Sequence, residues 1–496
     1  MTILPGKKMT SPSTAHAPHV AMHPDRRWLA LIVLCLGVLM IVLDTTIVNV
    51  ALPSIKTDLQ FGDTALAWVV NAYMLTYGGF LLLGGRLGDL YGHRRLFLLG
   101  IALFTLTSLA CGLSITQGAL VVARSVQGLG GAVVTAVALS LIMDLFTEPA
   151  DRAKAMGVYG FVCAGGGSLG AMLGGVLTSS LSWHWVFLVN LPIGAAVMLM
   201  SLRLLPAAPG TAASRHLDVF GAVTVTAALM LAVYAIVNGS QSGWLSPRTL
   251  GQLAVALALL VTFLWIETRV HVPLMPLRLF KLRNLAVSNV VGVLWAAAMF
   301  AWFFLSALYM QLVLGYGPME VGLAFLPANL IMAVFSLGLS AKLVMRFGIR
   351  RPLSVGLLLA ACGLLLFSRA PVQGHFLPDI MPGMVLLGLG AGIAFNPVLL
   401  AAMSDVGPSE SGLASGVVNT AFMMGGSLGL AILASFAAAR TQALLTAGSA
   451  QSFALTGGYQ SAFLLGACFA ALGALLGAVL LRTPHASVGE HAVVTE

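Results

Sequence analysis

The segment Gly166-Gly167-Ser168-Leu169-Gly170 returns unchanged as Gly425-Gly426-Ser427-Leu428-Gly429, an offset of 259 in a chain of 496 residues. The same offset carries Pro149 onto Pro408, Ala155 onto Ala414 and Gly157 onto Gly416. At 256, Gly92-His93-Arg94-Arg95 meets Gly348-Ile349-Arg350-Arg351. Two copies of one plan are joined in tandem.

Each copy of GGSLG lies in a long apolar run. Of all residues, 59% are hydrophobic and 8% charged, against about a quarter charged in soluble domains. Apolar runs of roughly 20 residues bounded by charge or turn clusters mark membrane-spanning helices. They number fourteen, near 28–52, 64–84, 96–114, 117–143, 155–179, 185–205, 218–238, 249–269, 284–313, 319–341, 352–368, 378–402, 411–438 and 458–482. Six runs occupy about 180 residues, so a repeat near 260 leaves about 80 over, which the runs at 218–238 and 249–269 fill. The expected fold is an all-α polytopic membrane protein of plan 6 + 2 + 6, two pseudo-symmetric bundles around a central cavity. Its parts are a disordered tail (1–27), an N-terminal bundle (28–205), a two-helix insert with flanking loops (206–283), a C-terminal bundle (284–482) and a second tail (483–496). Tandem repeats of this kind hold their site between the halves.

The net charge of +9 does not point to nucleic acid. With a cytoplasmic N-terminus, 20 of the 25 Lys and Arg residues fall in inside segments, and only Lys56, Arg248, Arg369 and Arg440 fall outside. That asymmetry orients the chain with both termini in the cytoplasm, and the expected location is a bacterial-type inner membrane crossed many times. The five cysteines, Cys35, Cys111, Cys163, Cys362 and Cys468, stand singly in apolar runs and read as packing residues. No metal is expected, since His16, His19 and His23 lack Cys or carboxylate partners.

Two charges break the apolar pattern: Asp44 in the first run and Arg124 in the fourth. A charge within the membrane is costly and marks a functional candidate. Counted from the outer ends, the two lie at depths of roughly 13 Å and 10 Å, so they can meet. Two readings stay open. Asp44 carries a proton and releases Arg124 on protonation, or the pair is static and only fixes helix packing.

Between the second and third runs stands Gly84-Gly85-Arg86-Leu87-Gly88-Asp89-Leu90-Tyr91-Gly92-His93-Arg94-Arg95. This resembles the loop signature of the major facilitator superfamily, GxLxDxxGxRR, through Gly85, Leu87, Asp89, Gly92, Arg94 and Arg95. Leu43 to Pro53, LDTTIVNVALP, looks like the first-helix signature of its fourteen-helix drug:proton antiporters. Arg124, Gln127, Gly128 and Gly130-Gly131 look like the fourth-helix motif. The resemblance covers residues 28–482. It implies a cytoplasmic gate of Gly85, Asp89, Gly92, Arg94, Arg95 and Asp144, with Asp89 near the start of the thirteenth span and Asp144 paired with Arg94 or Arg86. The second copy has Met345 in place of Asp89. The fifth run carries Gly166, Gly170 and Gly174, small residues four apart that let helices approach closely, here expected at a seam between the halves. Antiporters of this family have Gly-Pro where Gly170-Ala171 stands, a departure that weakens export against import. Ser182 to Phe187 and Asn190-Leu191-Pro192 still look like the exporter branch.

GGSLG also fits GxSxG, but a nucleophile elbow needs a strand, a turn and Asp and His partners, not an apolar helix. With no GxxxxGK[ST] or HExxH, no enzyme and no cofactor is expected, and the resemblance implies a proton gradient as the energy source. Aromatic and methionine side chains suit promiscuous recognition. The candidate cavity residues are Asn49, Gln127, Trp302, Gln311, Asn396, Asn419 and Met423. The expected activity is proton-coupled export of drugs or other small amphipathic compounds by a protein functional as a monomer. The partners are substrate, protons and lipid. The alternatives are a proton symporter and a non-transporting membrane sensor.

Overall fold

A computed structural model describes residues 24–482 except 63, 147, 207–217, 271, 272, 274, 276, 336–338 and 407–410. The side chains of Arg86, Asp89, Cys163 and Ser168, and nearly all of the expected tails, lie outside the described residues. Every long element is helical. The first half contains α1 (Pro24–Asp58), α2 (Trp68–Tyr91), α3 (His93–Gly112), α4 (Gln117–Leu145), α5 (Pro149–Ser180), α6 (Trp185–Leu188) and α7 (Asn190–Leu204). The insert is α8 (Val219–Ser242) and α9 (Pro247–Arg269). The second half contains α10 (Arg283–Leu312), α11 (Pro318–Ala324), α12 (Leu326–Val334), α13 (Ser340–Phe347), α14 (Arg350–Phe367), α15 (Met381–Met403), α16 (Ser411–Thr446) and α17 (Gln451–Leu480).

Among the described residues twelve helices are long and apolar enough to cross a membrane, and Leu169–Ser180 and Pro318–Val334 are shorter apolar stretches. The two expected spans not in that set are those at 155–179 and 319–341. The first lies within α5, a 32-residue helix long enough to cross a membrane. The second comprises α11, α12 and α13, with Pro327 in the first turn of α12 and residues 336–338 outside the described ones. The expected span at 185–205 is likewise divided, at Val189.

The repeat is visible in the packing. In the first half α1 lies on α5, α2 and α3 on α4, and α7 on α1 and α3. In the second half α10 lies on α16, α12 and α14 on α15, and α17 on α10 and α14. Each half turns from its second long segment into its third through a glycine with positive φ, Gly92 at 93° and Gly348 at 74°. Side chains other than glycine avoid that backbone region. The matched GHRR and GIRR sequences thus mark one structural joint used twice.

The starts of α1 and α10 and the end of α17 share one face, the terminal face: Arg283 Nε donates to the Leu480 carbonyl at 2.9 Å, and Arg27 lies 3.7 Å from Asp151 at the start of α5. At the far face the halves touch, where Gln311 Nε2 donates to the Val50 carbonyl at 2.9 Å. Two seams join them, α5 with α11 and α12, and α2 with α16. The insert attaches asymmetrically, because α8 packs on α2 and α16, with α9 behind it on α8.

The glycines of α5 do not serve the seam the sequence suggests. A Cβ at Gly166 would lie 2.8 Å from Val42 Cγ1, one at Gly170 2.9 Å from the Leu43 carbonyl, and one at Gly174 2.6 Å from the Ile47 carbonyl. All three face α1 of their own half. In the second copy Gly425 and Gly429 face Val293 and Ala297 of α10 in the same way. The close approach between halves on α5 comes from its neighbour Gly175, where a Cβ would lie 2.7 Å from the Pro318 carbonyl.

Candidate functional site

Asp44 and Arg124 are both fully buried and in direct contact, Arg124 Nη1 donating to Asp44 Oδ2. Apolar neighbours fill α1 and α4 around them, so each charge has lost its water and must be matched inside the protein. Arg124 Nη1 also donates to Gln127 Oε1 at 2.7 Å, one turn along α4. Its Nε donates to the Val69 carbonyl of α2 at 3.0 Å. The guanidinium carbon stands 4.2 Å from the Tyr73 ring centroid and 5.6 Å from that of Phe187, a cation–π setting that is stronger where water is excluded.

The second carboxylate oxygen is equally occupied. Asp44 Oδ1 accepts from Gln127 Nε2 at 3.0 Å and from Asn190 Nδ2 at 3.2 Å. Ser108 of α3 joins both amides, accepting from Asn190 Nδ2 at 3.0 Å and from Gln127 Nε2 at 3.2 Å, and donates to the Phe187 carbonyl at 2.9 Å. Cys111 Sγ lies 3.6 Å from Gln127 Oε1. Asn190 opens α7, directly after the one-residue interruption at Val189 that ends α6. Four long helices, α1 to α4, and this break therefore converge on one buried carboxylate.

Three polar atoms at the rim of this cluster have no hydrogen-bond partner: Arg124 Nη2, Asn190 Oδ1 and Tyr73 OH. Every group facing Asp44 is a donor. The carbonyl oxygen of Asn190 is thus a buried acceptor left unused beside the carboxylate.

The other expected residues are spread over two regions. At the terminal face Gly85 is half-buried and Arg95 exposed. Among the described side chains Asp144 pairs with His93, Nδ1 and Oδ2 lying 3.0 Å apart. Arg94 instead donates through Nη2 to the Leu202 carbonyl of α7 at 2.5 Å. His93 and Arg94 are consecutive in the first turn of α3, about 100° apart round the helix, so one faces α4 and the other α7.

Of the expected cavity residues, Asn49 is buried and its Nδ2 donates to Thr45 O in its own helix. Gln127 belongs to the Asp44 cluster and Gln311 to the far-face contact between halves. Trp302, 1% exposed, is core, meeting Phe325 and Phe367 within the C-terminal bundle rather than lining an open wall. Asn396 and Met423 are half-buried and Asn419 is exposed. Met423 stands against Gly78 across the α2–α16 seam. Beside them Phe422 bridges Phe300 and Phe395, with ring centroids 5.9 Å and 6.2 Å apart. Phe395 remains 48% exposed, an aromatic surface formed jointly by α10, α15 and α16. Sequence reading did not single out Asn190, Ser108, Tyr73 or Phe395 as site residues; a polar residue at matched depth in a neighbouring apolar run was the available signal for the first two.

Comparison with known proteins agrees with this architecture. The family model described as Major Facilitator Superfamily matches residues 34–430. The puromycin resistance protein pur8 of Streptomyces alboniger is 39% identical over 460 residues, covering 92% of this chain and 91% of that protein. The cephamycin export protein CmcT of Amycolatopsis lactamdurans is 39% identical over 407 residues, covering 82% and 84%. The tetracenomycin C resistance and export protein of Streptomyces glaucescens is 35% identical over 427 residues, covering 86% and 78%. Among solved structures, an auto-inhibited peptide transporter of the POT family superposes with a TM-score of 0.66 at 16% identity, covering 93% of this chain and 98% of that one. A bacterial homologue of the human lysosomal transporter Spinster gives 0.64 at 17% identity, covering 93% and 100%. With its duplicated bundles, its buried ion pair and these matches, the chain belongs to the Major Facilitator Superfamily.

Proposed function

We propose that the protein exports small amphipathic or hydrophobic compounds of the antibiotic class across the bacterial inner membrane, in exchange for protons and by alternating access of its two halves. Export is supported by the relatives above, whose names record resistance to or export of puromycin, cephamycin and tetracenomycin C. The observation that carries proton exchange is the fully buried Asp44, held at both oxygens by donors alone. Protonation removes the charge that Arg124 matches and turns at least one donor away, so proton binding and helix movement are one event.

In this reading Asp44 and Arg124 couple the proton, the joint around Gly85, Asp89, Gly92, Arg94, Arg95 and Asp144 gates the terminal face, and Gly166, Gly170 and Gly174 set the packing of α5. Asn396, Asn419 and Met423 border the substrate path with the aromatic group of Phe300, Phe395 and Phe422. The terminal face is cytoplasmic, α5 and the α11–α13 segment complete a set of fourteen spans, and the monomer works without cofactor or metal. The test is export from proteoliposomes under an imposed pH gradient, with puromycin as probe. Wild-type protein moves the compound uphill when the far side is acidified, and Asp44→Asn protein does not. Movement down the proton gradient together with the compound would replace exchange by symport.

A further inference from the structure

Val69 and Tyr73 stand four residues apart on one face of α2, and Asn71 projects from the opposite face, about 200° round the helix. The first face is occupied by Arg124, through the Val69 carbonyl at 3.0 Å and the Tyr73 ring at 4.2 Å. The second meets the other half of the molecule, where Ser427 Oγ of α16 donates to Asn71 Oδ1 at 3.1 Å. Both Asn71 and Ser427 are fully buried. A Cβ at the adjacent Gly426 would lie 2.9 Å from Met74 Cε and 2.6 Å from Phe300 Cδ2, so α2 and α16 are in close contact here.

Asn71 Nδ2 has no hydrogen-bond partner. A buried amide with one of its two ends unmet carries a desolvation cost, so a second arrangement of the helices that gives that end a partner competes with this one. Ser427 is also the serine of the repeated GGSLG segment, whose glycines seat α16 on α10. The serine faces out of that packing toward the first half.

We infer that Asn71 and Ser427 form the latch that closes α2 of the first half on α16 of the second, and that the Asp44–Arg124 pair sets this latch through residues 69–73. Arg124 paired with Asp44 is held against α2 and fixes the rotation of the turn that presents Asn71. When Asp44 loses its charge, Arg124 loses its anchor, the turn is free to rotate, and the bond to Ser427 is lost. Asn71 is a positioning residue: it touches the other half rather than Asp44 or Arg124. The link to the proton rests on the exchange reading above, whereas the latch itself does not.

The test measures the distance between halves by pulsed electron paramagnetic resonance in nanodiscs. The labels sit at Ile115→Cys and Leu377→Cys, 85% and 66% exposed at the far face, in a chain whose native cysteines are replaced. Ser427→Ala raises the ratio of wide to narrow separations about two- to tenfold, the factor carried by one hydrogen bond of ordinary net strength. Asp44→Asn raises it as well, and the double variant is no wider than the larger single effect, which is the signature of one shared route. Ser435→Ala removes a hydroxyl on the same helix that donates instead to the Ile236 carbonyl of the insert at 3.2 Å, and its distribution matches wild type. A wild-type distribution in Ser427→Ala overturns the latch. Effects of Asp44→Asn and Ser427→Ala that multiply overturn the route from Arg124. Uphill export retained by Asp44→Asn in proteoliposomes overturns instead the proton reading on which that route rests.

Discussion

Gln127 Nε2 lies 3.0 Å from Asp44 Oδ1, so the carboxylate that Arg124 holds at one oxygen is held by an amide at the other. Gln127 Oε1 in turn accepts from Arg124 at 2.7 Å, closing a ring of three side chains across α1 and α4. A ring of this kind is rigid while complete and costly to open by halves, because each lost member leaves a buried group unmatched.

Removing one charge therefore destabilises more than removing both. Arg124→Met leaves Asp44 alone and costs roughly 3–5 kcal/mol of stability. Asp44→Leu combined with Arg124→Met recovers most of that loss, measured as the thermal melting temperature in detergent. Neither variant drives uphill export. A double variant that is both stable and coupled would show the pair to be packing alone.

Asn190 holds Asp44 and Ser108 together with the two hydrogens of one amide. Asn190→Ala deletes both bonds and the unused carbonyl oxygen. The expected result is a fall of about tenfold in exchange rate, the scale of one hydrogen bond to a charged group, with protein amount in the membrane unchanged. Uptake of a labelled compound into vesicles after a pH jump measures it.

Neighbouring glycines of α5 respond differently to the same change. A Cβ at Gly170 would lie 2.0 Å from Thr46 Oγ1 and 2.9 Å from the Leu43 carbonyl, whereas one at Gly167 meets only Thr46 Cγ2, at 3.9 Å. Gly170→Val lifts α5 from α1, costing about 1–3 kcal/mol by overpacking, and Gly167→Ala is neutral. Melting temperatures of the two variants decide the point.

Phe395 and Phe422 meet edge to face at 84°, and the first keeps nearly half its surface exposed. Phe395→Ala raises the half-saturating concentration of an aromatic compound several-fold while its maximal export rate stays near wild type. Compounds without aromatic rings shift less. Concentration series of two export substrates, one aromatic and one aliphatic, provide the comparison.

Much of this architecture follows from local physics. Depth along a helix converts residue count into position, which is why Asp44 and Arg124 can be matched before their helices are placed. Gly92 and Gly348 mark a joint because backbone geometry alone selects glycine there. Trp302 shows where such reasoning stops: α10 is apolar on all sides, so no periodicity tells a core-facing aromatic from an exposed one. Asn190 is read as part of a motif, yet its reach to Asp44 depends on how α7 folds across α1 and α3. Gly166, Gly170 and Gly174 declare that a close neighbour exists without declaring which one.

The one-sided attachment of α8 gives the molecule a front and a back. A duplicated chain by itself would present two equivalent flanks to the bilayer, and each opening and closing would displace lipid equally on both. With α8 lying across α2 and α16, motion at that flank shears protein against protein, while at the α5–α11 flank it shears protein against acyl chains. In the proposed cycle, bilayer viscosity and lipid composition are therefore expected to bear more on the α5–α11 flank than on the α2–α16 flank.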